Sequence, residues 1–165
     1  VQKSDEALED LIGYFSQQED PVVILFFGDH WPNLEEEFYS LLLGDNADDL
    51  SFKNVMREYQ VPFMIWANYD LEGEEIEAVS LNYLSGLLLR AANLEGTDYI
   101  NFLEDLRQTL PVITAMGVLD KDGNWYKAGE TTPYDDLLNE YNILEYNNAF
   151  GGDDKNMEAF TLMAG

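Results

Sequence analysis

Cysteine is absent from the 165 residues, histidine occurs once, and only 8 lysines and arginines stand against 33 aspartates and glutamates. The first absence excludes disulfides, thiolate zinc sites and a cysteine nucleophile, while leaving the compartment open. The shortage of cations gives a formal charge of −25, which repels nucleic acid and anionic membrane surfaces. Neither a nucleic-acid partner nor membrane contact by this segment is therefore expected. No run reaches the ~20 apolar residues of a membrane span. Internal repeats, a P-loop, a dinucleotide-binding glycine fingerprint and a GxSxG nucleophile elbow are all missing.

What remains is a chain that should pack. Hydrophobic residues make up 46% and aromatics 13%, enough for the core of one domain and too much for extensive disorder. The excess of carboxylates reads best as solvated helix faces. The chain opens on Val1 rather than Met and closes on Met163-Ala164-Gly165, so a piece of a longer protein is expected.

The most informative stretch is Pro21-Val22-Val23-Ile24-Leu25-Phe26-Phe27 followed by Gly28-Asp29-His30. An apolar run without alternation suits a strand covered on both faces, as in a parallel sheet between helices. Open sheets of that kind place chemistry just past the carboxyl ends of their strands, where Asp29 and His30 fall. A hard oxygen donor beside a borderline nitrogen donor suits Mn²⁺, Zn²⁺ or Fe. Two donors do not complete a site. With no second His and no Cys, further ligands must be carboxylates, hydroxyls or another polypeptide. The dipeptide also suits a polar strand end, with Asp29 capping the next helix and His30 bonded to a backbone carbonyl.

Around this stretch, helix and strand patterns alternate. Ser4 can cap a helix whose inner face is Leu8, Leu11, Ile12 and Phe15. Pro32 and Asn33 look like a second helix start, with Glu35, Glu36 and Glu37 at its positive end and Leu34, Phe38, Leu41 and Leu42 inward. Gly44 to Asp49 is a polar break before a short helix marked by Phe52, Val55, Met56 and Tyr59. Val61 to Ala67 reads as a second apolar strand beside the first, joined to it by a right-handed parallel crossover. Trp66, Asn68 and Tyr69 could line a groove there, although core packing suits Trp66 better.

Leu81, Leu84, Leu87, Leu88 and Ala91 describe one further helix, and Tyr99, Phe102, Leu103 and Leu106 another that Pro111 stops. Asp120-Lys121-Asp122-Gly123 is a hairpin turn between β-prone runs. A calcium-loop reading of Asp120, Asp122 and Asn124 fails, because Thr131 stands where the bidentate glutamate belongs. Thr132-Pro133 opens a last helix carrying Tyr134, Leu137, Leu138 and Tyr141. The expected fold class is α/β, parallel strands with flanking helices plus a small β-hairpin subdomain over residues 1–150, then a flexible tail over 151–165.

Several of these pieces, in this order, resemble the carboxyl-terminal part of the catalytic domain in the lipoteichoic acid synthase family, the sulfatase-like phosphoglycerol transferases of the alkaline phosphatase superfamily. They are Ser4 to Phe15, Val22 to Pro32 with its Phe-Phe-Gly-Asp-His core, Val61 to Ala67, Ser80 to Leu84, Leu110 to Ile113, and Asp120 to Tyr126. The resemblance implies a partial alkaline-phosphatase/sulfatase-like fold and a divalent metal, Mn²⁺ first, with Mg²⁺ or Zn²⁺ as alternatives. Asp29 and His30 match the family's adjacent metal ligands. The nucleophilic Thr, an earlier Glu ligand, and the His and Arg that contact substrate phosphate have no counterparts here.

The implied function is thus a fragment of a phosphoglycerol transferase or sulfatase-like hydrolase acting on glycerol-phosphate polymers or glycolipids of the cell envelope. The parent would be membrane-anchored, working on the extracytoplasmic face. This chain alone would be inactive, and its partners would be the missing amino-terminal half of the domain and the glycerol-phosphate substrate. The competing reading is a non-catalytic binding or interaction module that keeps the fold.

Overall fold

The computed structural model describes residues 2–33, 35–43 and 51–162. Two compact units divide the chain, residues 1–70 and 71–165. The expected positions of Leu34 and of the Gly44 to Asp49 break lie outside the described residues.

The first unit contains helix α1 (Gln2–Phe15), strand β1 (Val23–Phe27), helices α2 (Glu36–Leu43) and α3 (Phe52–Arg57), and strand β2 (Phe63–Ala67). Ser51 caps α3 by accepting the Asn54 N–H. The two strands are neighbours, as expected, but they run antiparallel, with Val23 opposite Ala67 and Phe27 opposite Phe63. This corrects the parallel crossover. A single crossover helix is what usually returns a chain for parallel pairing, whereas the described residues between these strands include two helices, α2 and α3.

Coverage of β1 is also less than its composition suggests. Val23 to Leu25 are half-buried, while Phe26 and Phe27 are 40% and 45% exposed. The α2 face expected to point inward is exposed as well, with Phe38 at 48%, Leu41 at 84% and Leu42 at 53%. Helical period shows which residues share a face, not what covers it. Among the described residues of this unit, Met56 is the one that is fully buried.

The second unit holds a 3₁₀ turn (Leu81–Tyr83), α4 (Leu84–Ala91), α5 (Asp98–Thr109), strands β3 (Val112–Thr114), β4 (Gly117–Leu119) and β5 (Trp125–Lys127), α6 (Asp135–Phe150), a 3₁₀ turn (Gly152–Asp154) and α7 (Met157–Phe160). The strands form an antiparallel meander in the order β3-β4-β5. A turn at Ala115-Met116 divides the run read as one strand, and Gly117 at φ 157° is extended backbone. The Asp120 to Gly123 turn is where the sequence places it, with Gly123 at φ 85° supplying the left-handed residue.

Tyr83, Leu103, Leu106, Leu110, Val118 and Tyr141 form this unit's core. The buried Tyr83 hydroxyl donates to the Leu110 carbonyl at 2.8 Å, and burial, the leading cause, pushes that phenol well above its ordinary pKa. Residues 151–162, expected within a frayed tail, carry a 3₁₀ turn and α7; Phe160 packs against the Tyr99 ring at 5.0 Å. Among the described residues, no helix is long and apolar enough to cross a membrane.

Candidate functional site

The β1–β2 ribbon closes where Gly28 N–H donates to the Pro62 carbonyl at 3.0 Å. A Cβ on Gly28 would meet the Val61 Cβ at 3.0 Å, a tight approach just ahead of β2 that a larger residue could meet only if Val61 gave way. Immediately beyond, Asp29 and His30 project away from the ribbon, their side chains 86% and 76% exposed.

The two side chains converge. His30 Nε2 lies 3.5 Å from Asp29 Oδ2, and the Asp29 Oδ1 accepts the His30 backbone N–H at 2.8 Å. That backbone bond, followed by Asp29's own N–H and the charge of the imidazole, holds the Asp29 carboxyl below the ordinary carboxylate range. Asp29 is therefore an anion across the whole neutral range.

The other imidazole nitrogen is committed. His30 Nδ1 lies 2.7 Å from the Trp31 carbonyl oxygen, an atom that can only accept, so Nδ1 carries a proton. In the neutral ring Nε2 then presents a lone pair toward a carboxylate oxygen. Two acceptors facing one another repel, and either a proton on Nε2 or a cation between them relieves the conflict. Two donors about 2.1 Å from a tetrahedral metal stand about 3.4 Å apart, so the observed separation fits a shared ion.

These two residues cannot complete a coordination shell. Among the described residues no group of three or more His, Asp or Glu is gathered as a metal would require. One element of the polar strand-end reading is present, since His30 bonds a backbone carbonyl, while the Asp29 carboxylate accepts its neighbour's N–H.

Other residues singled out by sequence have different roles. Trp66 is half-buried in β2. Asn68 accepts the Val22 N–H at 2.8 Å and donates toward the carbonyls of Phe15, Gln18 and Asp20, tying the end of α1 to the strand pair. Asp120 is only 3% exposed, and its oxygens are taken up by the backbone N–H groups of Asp122 and Asn124, the Asn124 amide and the Tyr126 and Tyr134 hydroxyls. The Asp120 carboxylate is thereby committed to the hairpin turn and the two tyrosines beside it. Trp31, which sequence reasoning did not single out, accepts the His30 Nδ1–H at its carbonyl and donates its indole N–H to the Gln60 carbonyl.

Comparison with known proteins gives these geometries a family. A protein of Rhizobium meliloti (strain 1021), named for cyclic beta-1,2-glucan modification, is 25% identical over 158 residues, covering 92% of this chain and 24% of the relative. The Streptococcus pyogenes phosphoglycerol transferase GacH, solved with sn-glycerol-1-phosphate, superposes with a TM-score of 0.65 at 16% identity over 97% of this chain and 36% of its own. The chain thus has the fold of one part of a sulfatase-like phosphoglycerol transferase, and spans about a quarter of the curated relative. The Sulfatase family model matches residues 1–94, more than half of the sequence and including Asp29 and His30, and the chain belongs to the sulfatase family.

Proposed function

We propose that this chain supplies one half of the metal site of a sulfatase-like phosphoglycerol transferase, with Asp29 Oδ2 and His30 Nε2 as adjacent ligands. The observation that carries the reading is their 3.5 Å approach while Nδ1 is already engaged by the Trp31 carbonyl. A divalent cation, Mn²⁺ first and Mg²⁺ or Zn²⁺ next, would supply positive charge for a phosphoryl oxygen and for activation of a hydroxyl nucleophile. Asp29 contributes the neutralising charge and His30 a neutral nitrogen donor. The nucleophilic threonine and the remaining ligands would belong to polypeptide outside these residues.

Exposure of the first unit supports such a division. Phe26, Phe27, Phe38, Leu41 and Leu42 are all 40% exposed or more, a quantity of large apolar surface that calls for cover. The preceding part of the same catalytic domain is the proposed occupant, since this chain accounts for 36% of the phosphoglycerol transferase chain it superposes on. The substrates proposed for the whole protein are glycerol-phosphate polymers or glycolipids of the cell envelope, handled by a membrane-anchored parent on the extracytoplasmic face. An Asp-His pair favours phosphoglycerol transfer over sulfate ester hydrolysis.

The test is turnover by the longer protein on a glycerol-phosphate lipid and on an aryl sulfate, before and after Asp29→Asn and His30→Gln. Metal-dependent transfer of phosphoglycerol, lost by about 100-fold or more in either variant, is expected. Full activity in both variants would instead favour a binding module that keeps the fold. Substantial metal-dependent turnover by the 165-residue chain alone would overturn the division of the site.

A further inference from the structure

The loop that carries His30 is held by the residue after it. The Trp31 indole N–H donates to the Gln60 carbonyl, just ahead of β2, and the indole stacks on Tyr39 of α2 with ring centroids 6.1 Å apart and planes 27° from parallel. The Tyr39 hydroxyl in turn donates to the Pro32 carbonyl. Trp31 is thereby fixed from the strand side and from the helix side, while its own carbonyl takes the His30 Nδ1 proton at 2.7 Å.

We propose that Trp31 is a positioning residue for His30. Its anchored backbone carbonyl holds the imidazole in the Nδ1–H tautomer, so that the Nε2 lone pair faces the space beside Asp29 Oδ2. An imidazole free in water prefers the opposite tautomer, with the proton on Nε2, and that form cannot offer Nε2 to a cation. The functional meaning of this clamp rests on the metal-ligand reading of Asp29 and His30. The tautomer itself does not. Second-shell partners of this kind orient a ligand and raise its basicity, and their loss commonly weakens metal affinity by about 10- to 100-fold.

Because His30 is the only histidine in the chain, its ring nitrogens can be read without assignment. In long-range ¹H–¹⁵N spectra of the metal-free chain at mildly alkaline pH, the Nδ1–H form is expected to predominate. Trp31→Phe keeps a ring for Tyr39 but removes the N–H anchor, and should shift the tautomer ratio several-fold toward Nε2–H. Tyr39→Phe, which removes only the hydroxyl, should shift it in the same direction by less, and it carries the test should Trp31→Phe lose its native amide spectrum. A dominant Nε2–H form in the unaltered chain would overturn the proposal, as would a ratio unchanged in both variants. Mn²⁺ titration of the longer protein, where the remaining ligands would be present, tests the other half: an affinity unchanged by His30→Gln would count against the ligand reading and leave the tautomer assignment standing.

Discussion

The side chain of Asn68 closes the end of the strand ribbon on Val22: its Oδ1 accepts the Val22 N–H at 2.8 Å, and its backbone N–H donates to the Val22 carbonyl at 3.1 Å. Its Nδ2 group meanwhile reaches the carbonyls of Phe15, Gln18 and Asp20 at 3.2, 3.1 and 2.9 Å. Asn68→Ala strands a partly buried donor and releases three carbonyls, and is expected to destabilise the chain by about 1–3 kcal/mol in urea denaturation. Asn68→Asp should be worse at neutral pH than at pH about 3, because an ionised carboxylate at that position faces three carbonyl oxygens. An alanine variant as stable as the parent would show that the knot is incidental.

Tyr83 tests the second unit's core. Its hydroxyl is buried and bonded to the Leu110 carbonyl at 2.8 Å, and its ring packs among Leu103, Leu106 and Leu110. Tyr83→Phe removes one hydrogen bond and should cost about 0.5–1.5 kcal/mol. Tyr83→Ala also opens a cavity, and should cost about 3–5 kcal/mol. Equal losses in the two variants would mean that the hydroxyl, not the ring, dominates.

Asp120 gives the chain a particular response to acid. Burial, the largest influence, pushes its carboxyl up, but the donors from Asn124, Asp122 and Tyr126 outweigh it and leave the group below its ordinary pKa. A carboxyl depressed in the folded state contributes stability that is fully present above the unfolded value of about 3.9 and is lost as pH falls through the lower folded value. The unaltered chain should therefore lose stability more steeply than Asp120→Asn on acidification below pH about 4. Parallel stability curves for the two would contradict the role given to those donors.

The helical rhythm, the hairpin turn at Asp120 to Gly123 and the neighbouring strands were all legible in the sequence, because each is set by local periodicity or turn chemistry. Strand direction was not. The apolar runs at Val22 to Phe27 and Val61 to Ala67 are read as two strands that pair, but apolar composition is the same for either sense of pairing. Likewise the apolar faces of Phe26, Phe27 and Leu41 announce a need for cover without naming the cover. At the site, Asp29 and His30 stood out by residue type and position after a strand. Trp31 did not, because its part is played by a backbone carbonyl and by an anchor 29 residues away at Gln60, neither of which leaves a pattern along the chain.

Whether Asp29 and His30 share a cation is decided by calorimetric Mn²⁺ titration of the longer protein proposed to contain this chain. One ion per molecule is expected, with affinity reduced by about 100-fold or more in both Asp29→Asn and His30→Gln. Unchanged stoichiometry and affinity in the two variants would contradict the account.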